Sequence, residues 1–312
     1  MSSEKVLVTA AVHPYLHGRF RELGFEVNVR EDISRKELLE IIPDYSILII
    51  TTYLVADQEL IDKAIHLKII GRVGSGMENV DQAYAKQKNI ICLNSPEGNA
   101  NAVGEHTLAL LLNLLNKISS SSDELKNGTW KREENRGLEL DGKTVGIIGF
   151  GHTGSAFAKK LSGFDVRILA CDPYKKIEHA KVEQTDLSTV QSFCDVISFH
   201  VPYNKETHHY ISTEFIKKCT RHPFILNTSR GAVADTLAVI DALEKNSIKG
   251  FGVDVYEDEP LTKNSIHSVE IYQKMLAFKN VIATPHIAGW TAESAYKLVK
   301  ILMDKIEQNL TF

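Results

Sequence analysis

Three short segments place an arginine, a glutamate and a histidine just after apolar runs. Asn227-Thr228-Ser229-Arg230-Gly231 follows Phe224–Leu226. Asp254-Val255-Tyr256-Glu257-Asp258-Glu259-Pro260 follows Gly250–Val253. Thr284-Pro285-His286-Ile287-Ala288-Gly289 follows Val281–Ala283. A guanidinium pairs with a planar carboxylate through two parallel hydrogen bonds. An imidazole exchanges protons near neutral pH, and a neighbouring carboxylate favours its cationic form. Each residue also has a plainer reading: Arg230 as a structural ion pair, Glu259 as a helix cap, His286 as a satisfied core histidine. Their joint occurrence at strand ends favours chemistry.

A second constellation lies upstream. Val145-Gly146-Ile147-Ile148 runs into Gly149-Phe150-Gly151-His152-Thr153-Gly154, and Asp172 stands eighteen positions past Gly154 (172 − 154), at the end of the apolar segment Val166–Cys171. Strand, glycine turn, helix, strand and acid is the order of a dinucleotide site. Gly149 permits the tight turn, Gly151 lets backbone approach a pyrophosphate, and Gly154 allows close helix–strand packing. The helix start at His152 and Thr153 offers unpaired amides to phosphate. Asp172 is expected to accept hydrogen bonds from the ribose hydroxyls and to repel a 2′-phosphate, so NAD is expected over NADP.

These groups need a scaffold that collects strand ends along one edge. Strands are expected at Lys5–Ala10, Glu26–Arg30, Ile47–Thr51, Lys68–Arg72 and Ile90–Asn94, with helices such as Arg35–Ile42 and Asp57–Ala64 between them. Continuous apolar strands alternating with helices point to parallel sheets and a doubly wound α/β fold. The α/β rhythm resumes from Lys143 to Pro285. Two doubly wound domains follow from this: residues 1–100 with 290–312 as a flavodoxin-like substrate domain, and an inserted Rossmann NAD domain over 101–289. Ala102–Ile118 is an apolar helix, Ser119–Ser122 a polar break, and Thr291–Leu310 a final helix that returns to the first domain. Hinges are expected near Gly98–Asn101 and Ala288–Thr291, closing on substrate and expelling water.

Composition narrows the class. The 312 residues carry a net charge of −4, with 43% hydrophobic and 24% charged residues, which is ordinary for a globular chain. No basic concentration points to nucleic acid, and no apolar run approaches the ~20 residues of a membrane span. With no secretory leader and no CxxC pair, the chain is expected to be cytoplasmic, with Cys92, Cys171, Cys194 and Cys219 as buried reduced thiols. No metal site is expected. His106 is expected to pack or bond within its helix, and His208-His209 to lie in an exposed loop.

At this level of detail the chain resembles the D-2-hydroxyacid dehydrogenase family over nearly its whole length. The resemblance rests on Gly74-Ser75-Gly76-Met77-Glu78-Asn79-Val80-Asp81, on Glu105-His106-Thr107, on the glycine turn and on the three strand-end segments. It implies that Arg230 binds the substrate carboxylate and polarises the carbonyl, that His286 is the acid/base, and that Glu259 is its acidic partner. It further implies a second carboxylate cradle in the amides around Ser75-Gly76. Asp254, Thr228, Ser229 and Thr107 match cofactor positions, and His200-Val201-Pro202 matches the adenine-side wall. Formate dehydrogenases of the family carry glutamine where Glu259 stands, which argues against formate. His152-Thr153 departs from the family's usual basic or polar residue followed by isoleucine.

Ile70-Gly71-Arg72-Val73-Gly74-Ser75-Gly76 is similar to phosphoglycerate dehydrogenases, in which the arginine matching Arg72 reaches the substrate phosphate. D-3-phosphoglycerate, and with it serine biosynthesis, is the leading expectation; glyoxylate or hydroxypyruvate reduction is the alternative. A surface ion pair is the plainer reading of Arg72. A chain ending at Phe312 is expected to lack an appended serine-sensing domain. An NAD-responsive corepressor-like binding protein is the non-enzymatic alternative. The helix 102–118 has too little polar surface to stand exposed, and a homodimer through it is expected. Leu261–Phe278, ending in an apolar helix, receives no role.

Overall fold

A computed structural model describes residues 4–259 and 266–310. The backbone divides into two compact units, Met1–Asn99 with Trp290–Phe312, and Ala100–Gly289.

The first unit is built on five parallel strands: β1 (Lys5–Val8), β2 (Glu26–Val29), β3 (Ile47–Ile50), β4 (Ile69–Arg72) and β5 (Ile91–Asn94). Their order is β2-β1-β3-β4-β5, the flavodoxin-like arrangement in which the chain reverses direction across β1. β3 and β4 are buried on both faces, because helices cover each side. Helix Ala292–Asn309 returns to this unit. Thr291 and Ser294 close a reciprocal cap at its start. Its Val299, Leu302, Met303 and Ile306 form one apolar stripe packed with Val6, Val8, Ile49 and Ile69.

The second unit holds seven parallel strands: β6 (Thr144–Ile148), β7 (Arg167–Cys171), β8 (Val182–Gln184), β9 (Val196–Phe199), β10 (Phe224–Asn227), β11 (Gly250–Val253) and β12 (Val281–Ala283). The order β12-β11-β10-β9-β6-β7-β8 puts the reversal between β6 and β9, where ligands bind in open α/β sheets. Leu110, Leu111, Leu114 and Leu115 of helix Glu97–Asn116 join the core with Val145, Ile147 and Phe157. Two core clusters thus clamp the sheet from its two faces.

Several expectations need correction. The apolar helix begins at Glu97, earlier than Ala102. Ser119–Ser122 is not a break: it lies inside a helix, Ile118–Lys126. The break is the single residue Lys117, whose left-handed φ of 54° turns the chain; a serine run reads as a stop signal, whereas the turn needs only one residue. The short β8 was not anticipated, since Val-Glu-Gln carries almost no apolar signal. All four cysteines are free, but only Cys194 and Cys219 are buried; burial pushes both thiols up to about 12. Of Leu261–Phe278, residues 261–265 lie outside the described set; helix Ile266–Leu276 follows them. Among the described residues no helix is long and apolar enough to cross a membrane.

Candidate active site

The glycine turn sits where β6 ends. Gly149 has a φ of +86°, and a Cβ there would stand 2.5 Å from the His200 carbonyl. A side chain is therefore excluded twice, by conformation and by the neighbouring end of β9. A Cβ on Gly154 would meet the Gly149 carbonyl at 2.2 Å, so helix His152–Lys160 abuts the turn. At Gly151 the same test finds open space. Gly151 caps that helix with no side chain, and a helix start of this kind suits a phosphate. His152 is exposed and Thr153 half-buried. Asp172 holds the turn from below: its Oδ2 accepts from the Phe150 amide at 2.9 Å and its Oδ1 from the Tyr174 amide at 3.0 Å.

Beyond the turn, the His200 side chain points into the core. Its ring is buried, bonded through Nε2 to Ser198 Oγ at 2.8 Å and tilted against Phe157. Burial drives its pKa down to about 3, so it stays neutral. Its carbonyl backs Gly149, while Val201 is half-buried and Pro202 exposed.

The ends of β10, β11 and β12 are neighbours in the same sheet, and this brings the three distant segments together. Asn227 organises the first. Its Oδ1 accepts from the Ser229 amide at 3.1 Å and hydroxyl at 2.7 Å, and its Nδ2 donates to the Arg230 carbonyl at 3.0 Å. Thr107 donates its single hydroxyl proton to Val103 O at 2.7 Å, so the 2.9 Å contact with Thr228 Oγ1 must be donated by Thr228. The side chains of Thr107, Thr228 and Ser229 thus brace the turn from within. Arg230 Nη1 donates to Ser229 O at 2.7 Å, which fixes the guanidinium close to its own backbone. A Cβ at Gly231 would stand 1.8 Å from the Tyr256 carbonyl; the Arg230 turn therefore rests directly on the loop that carries Glu259.

His286 is held at one ring nitrogen. Its Nδ1 is hydrogen-bonded to Glu259 Oε2, and Glu259 Oε1 accepts from the Tyr256 amide at 2.6 Å. The bond at Nδ1 leaves Nε2 as the nitrogen that exchanges a proton. His286 also has a left-handed φ of 55°, uncommon outside glycine. Its pKa is raised: the Glu259 hydrogen bond is the largest cause, burial opposes it, the charges of Glu259 and Asp254 add to it, and Arg230 opposes it. Arg230 is therefore close enough to be felt electrostatically at the imidazole.

Asp254 sits beneath this arrangement, 1% exposed. Ile287 and Ala288 donate their amides to it at 2.9 and 2.8 Å, and Thr284 donates its hydroxyl at 2.5 Å. In this structure its carboxylate organises the His286 loop. Tyr256 also ties that loop, donating its hydroxyl to Thr284 O at 3.0 Å; burial first, then the nearby carboxylates, pushes the phenol up to about 12.

Two histidines stand elsewhere than sequence reasoning puts them. His106 does not bond within its helix; its Nε2 lies 2.9 Å from Thr284 Oγ1. His208 is exposed and stacks on His209, but His209 is half-buried and bonds Glu257 Oε2 at 2.7 Å. Glu257 in turn accepts from the Thr236 amide and hydroxyl through Oε1, which clamps the Glu259 loop at its base. These links join residues 48 and 178 positions apart, and no local pattern announces them.

In the first unit, Arg72 ends β4 and is only 8% exposed. A Cβ on Gly74 would overlap its Nη1 at 1.6 Å, so the guanidinium lies against the glycine and away from the open surface. Ser75 donates its hydroxyl to Asn99 Oδ1 at 2.8 Å, and its carbonyl accepts from Asn94 Nδ2 at 2.6 Å. These bonds shape the loop that presents the Gly76 backbone.

Comparison with known proteins agrees with this geometry. A family model described as D-isomer specific 2-hydroxyacid dehydrogenase, NAD binding domain, matches residues 108–288. A D-3-phosphoglycerate dehydrogenase of Archaeoglobus fulgidus is 34% identical over 305 residues, covering 97% of this chain and 56% of that one. The chain thus spans little more than half the length of that relative. A hydroxypyruvate reductase of Thermotoga maritima is 37% identical over 280 residues, covering 90% of each. Among solved structures, the TT0316 protein of Thermus thermophilus matches with a TM-score of 0.84 at 30% identity over 96% of this chain and 94% of its own. A D-lactate dehydrogenase of Aquifex aeolicus, complexed with NAD and lactic acid, matches with a TM-score of 0.83 at 26% identity over 98% and 96%. With more than half of its residues matched by the NAD-binding domain model and relatives above 30% identity over at least 90% of its own length, this chain belongs to the D-isomer specific 2-hydroxyacid dehydrogenase family.

Proposed function

We propose that this protein is an NAD-dependent oxidoreductase that interconverts a 2-keto acid and its D-2-hydroxy acid. The observation that carries the reading is the shared sheet edge of Arg230 and the His286–Glu259 pair. The residues after β6 suit a dinucleotide: an uncapped helix start, open space at Gly151, and a carboxylate at the next strand end. Gly149, Gly151, His152, Thr153, Gly154 and Asp172 would hold it, and the nicotinamide supplies the hydride chemistry when bound. Arg230 binds the substrate carboxylate and polarises the carbonyl. His286 gives its Nε2 proton to the carbonyl oxygen in reduction and takes it back in oxidation. Glu259 keeps Nδ1 engaged and stabilises the cation.

Asp172 presents negative charge where a 2′-phosphate would sit. NADH is therefore expected to exceed NADPH in kcat/KM by at least about tenfold, since like charges in contact cost a kcal/mol or more. Equal use of both cofactors, measured by absorbance at saturating keto acid, overturns that assignment.

For the substrate we propose 3-phosphohydroxypyruvate and D-3-phosphoglycerate, with Arg72 taking the phosphate and the Ser75-Gly76 backbone supporting the carboxylate. The buried guanidinium at a strand end supports this. Hydroxypyruvate or glyoxylate is the second reading, favoured by the Thermotoga relative, which matches 90% of each chain. A substrate panel decides. Phosphohydroxypyruvate is expected to lead glyoxylate in kcat/KM by roughly tenfold or more, the scale of one charge-assisted contact, and R72A to erase that lead. A glyoxylate preference in the unaltered protein ends the phosphate reading. We also propose a homodimer through the helix that follows Glu97; a monomer mass at micromolar concentration would contradict it.

A further inference from the structure

His286 occupies a left-handed backbone conformation uncommon outside glycine, just after a short strand, in a loop half open to solvent. Something must hold it there. The Glu259 hydrogen bond fixes the ring but not the backbone. The backbone is held by Asp254, whose two oxygens take the amides of the two residues after His286. A carboxylate with freedom to rotate would hold them poorly. What orients Asp254 is the Thr284 hydroxyl, two residues before His286, donating to Oδ1 at 2.5 Å.

A hydroxyl has one proton. Because Thr284 gives it to Asp254, the oxygen can only accept from His106 Nε2 at 2.9 Å. The donor sense of the chain is therefore fixed: His106 Nε2–H to Thr284 Oγ1–H to Asp254 Oδ1, which also takes the Ile287 amide, while Oδ2 takes the Ala288 amide. His106 Nε2 is itself 3.7 Å from Asp254 Oδ1, too far for a direct bond but close enough for its N–H dipole to favour the carboxylate. The chain links the long helix Glu97–Asn116 to the loop after β12, 178 positions away.

We propose that His106 is a positioning residue for His286, acting through Thr284 and Asp254 on the backbone that presents the imidazole. The assignment rests on the reading of His286 as proton donor. The effect of His106 is on the placement of His286 and not on cofactor or substrate affinity. A misplacement of a few tenths of an ångström at the acid slows proton transfer while leaving binding intact.

The test uses shape-matched variants of the full-length protein. H106F keeps a flat aromatic ring, slightly larger than imidazole, and removes the donor. H106Q places an amide N–H where Nε2 stands. T284V removes the hydroxyl at constant volume. H106F and T284V are each expected to lower kcat about tenfold with KM for NADH and keto acid within twofold, and H106Q to recover most of the loss. The double variant H106F/T284V is expected to be no slower than T284V alone, because both cut one chain. H106F with unchanged kcat, or H106F and T284V effects that multiply, overturns the proposal. Amide hydrogen exchange at Ile287 and Ala288 reads the same link without turnover. Both amides are expected to exchange about tenfold faster in H106F and to return to the parent rate in H106Q. If the unaltered protein reduces no 2-keto acid, the enzymatic reading fails, and unchanged exchange in H106F would separately dismiss the positioning chain.

Discussion

Replacement of His286 by alanine is expected to lower kcat for keto-acid reduction by at least about a hundredfold, the typical scale for a positioned acid–base group. The NADH affinity is expected to stay within twofold, because His286 lies on the loop after β12 and the glycine turn lies after β6. Stopped-flow or steady-state absorbance checks both, and a variant that turns over at the parent rate dismisses His286 as the proton donor. The pH dependence carries a sign. The pKa of His286 is raised above the ordinary histidine value, mainly by the Glu259 hydrogen bond. Reduction needs the protonated imidazole, so its rate is full below the raised pKa and falls as pH rises through it. Oxidation needs the neutral ring and rises through the same pH. E259Q removes the largest raising influence, so the falling limb of reduction is expected to move to lower pH. A limb that stays in place would mean that another group titrates there.

Much of this site was legible because its chemistry follows strand ends. A buried parallel strand is a continuous apolar run, and its end is marked where polar residues begin; Phe224 and Gly250 open fully buried runs, and Val281 a shorter, half-buried one. Residue type then singles out Arg230, Glu259 and His286. The glycine turn was equally open to reading, since the requirements at Gly149 and Gly154 are steric and local. What escaped was the support. Asn227, Thr284 and His106 work by hydrogen bonds whose partners are set by the fold, and a threonine or asparagine at a strand end looks the same whether it faces ligand or brace. Thr107, Thr228 and Ser229 illustrate the point: their types suit a cofactor wall, yet their hydroxyls are turned to each other and to Asn227. His200 hides its setting in the same way, since nothing local shows that its ring packs on Phe157. The helix over Ser119–Ser122 was hidden because a serine run has weak helix propensity, and the flanking Ile118, Leu125 and Lys126 set the helical pattern instead.

Arg230 provides the second large effect and an internal check on the first. R230A is expected to reduce kcat/KM for the keto acid by at least about a hundredfold, through loss of a charge-assisted bidentate contact and of carbonyl polarisation. R230K is expected to recover little, because an ammonium is a point charge and cannot reproduce the planar fork whose Nη1 is already fixed on Ser229 O. Chemical rescue by guanidinium in the R230A background is expected to restore part of the rate, since the turn braced by Asn227 does not depend on the side chain that is removed. Arg230 also lowers the pKa of His286. Its removal is therefore expected to shift the falling limb of reduction to higher pH, opposite to the shift in E259Q. Opposite displacements from the two variants would place all three side chains in one electrostatic unit. Displacements in the same direction, or none in R230A, would show that the guanidinium does not act beside the imidazole that moves the proton.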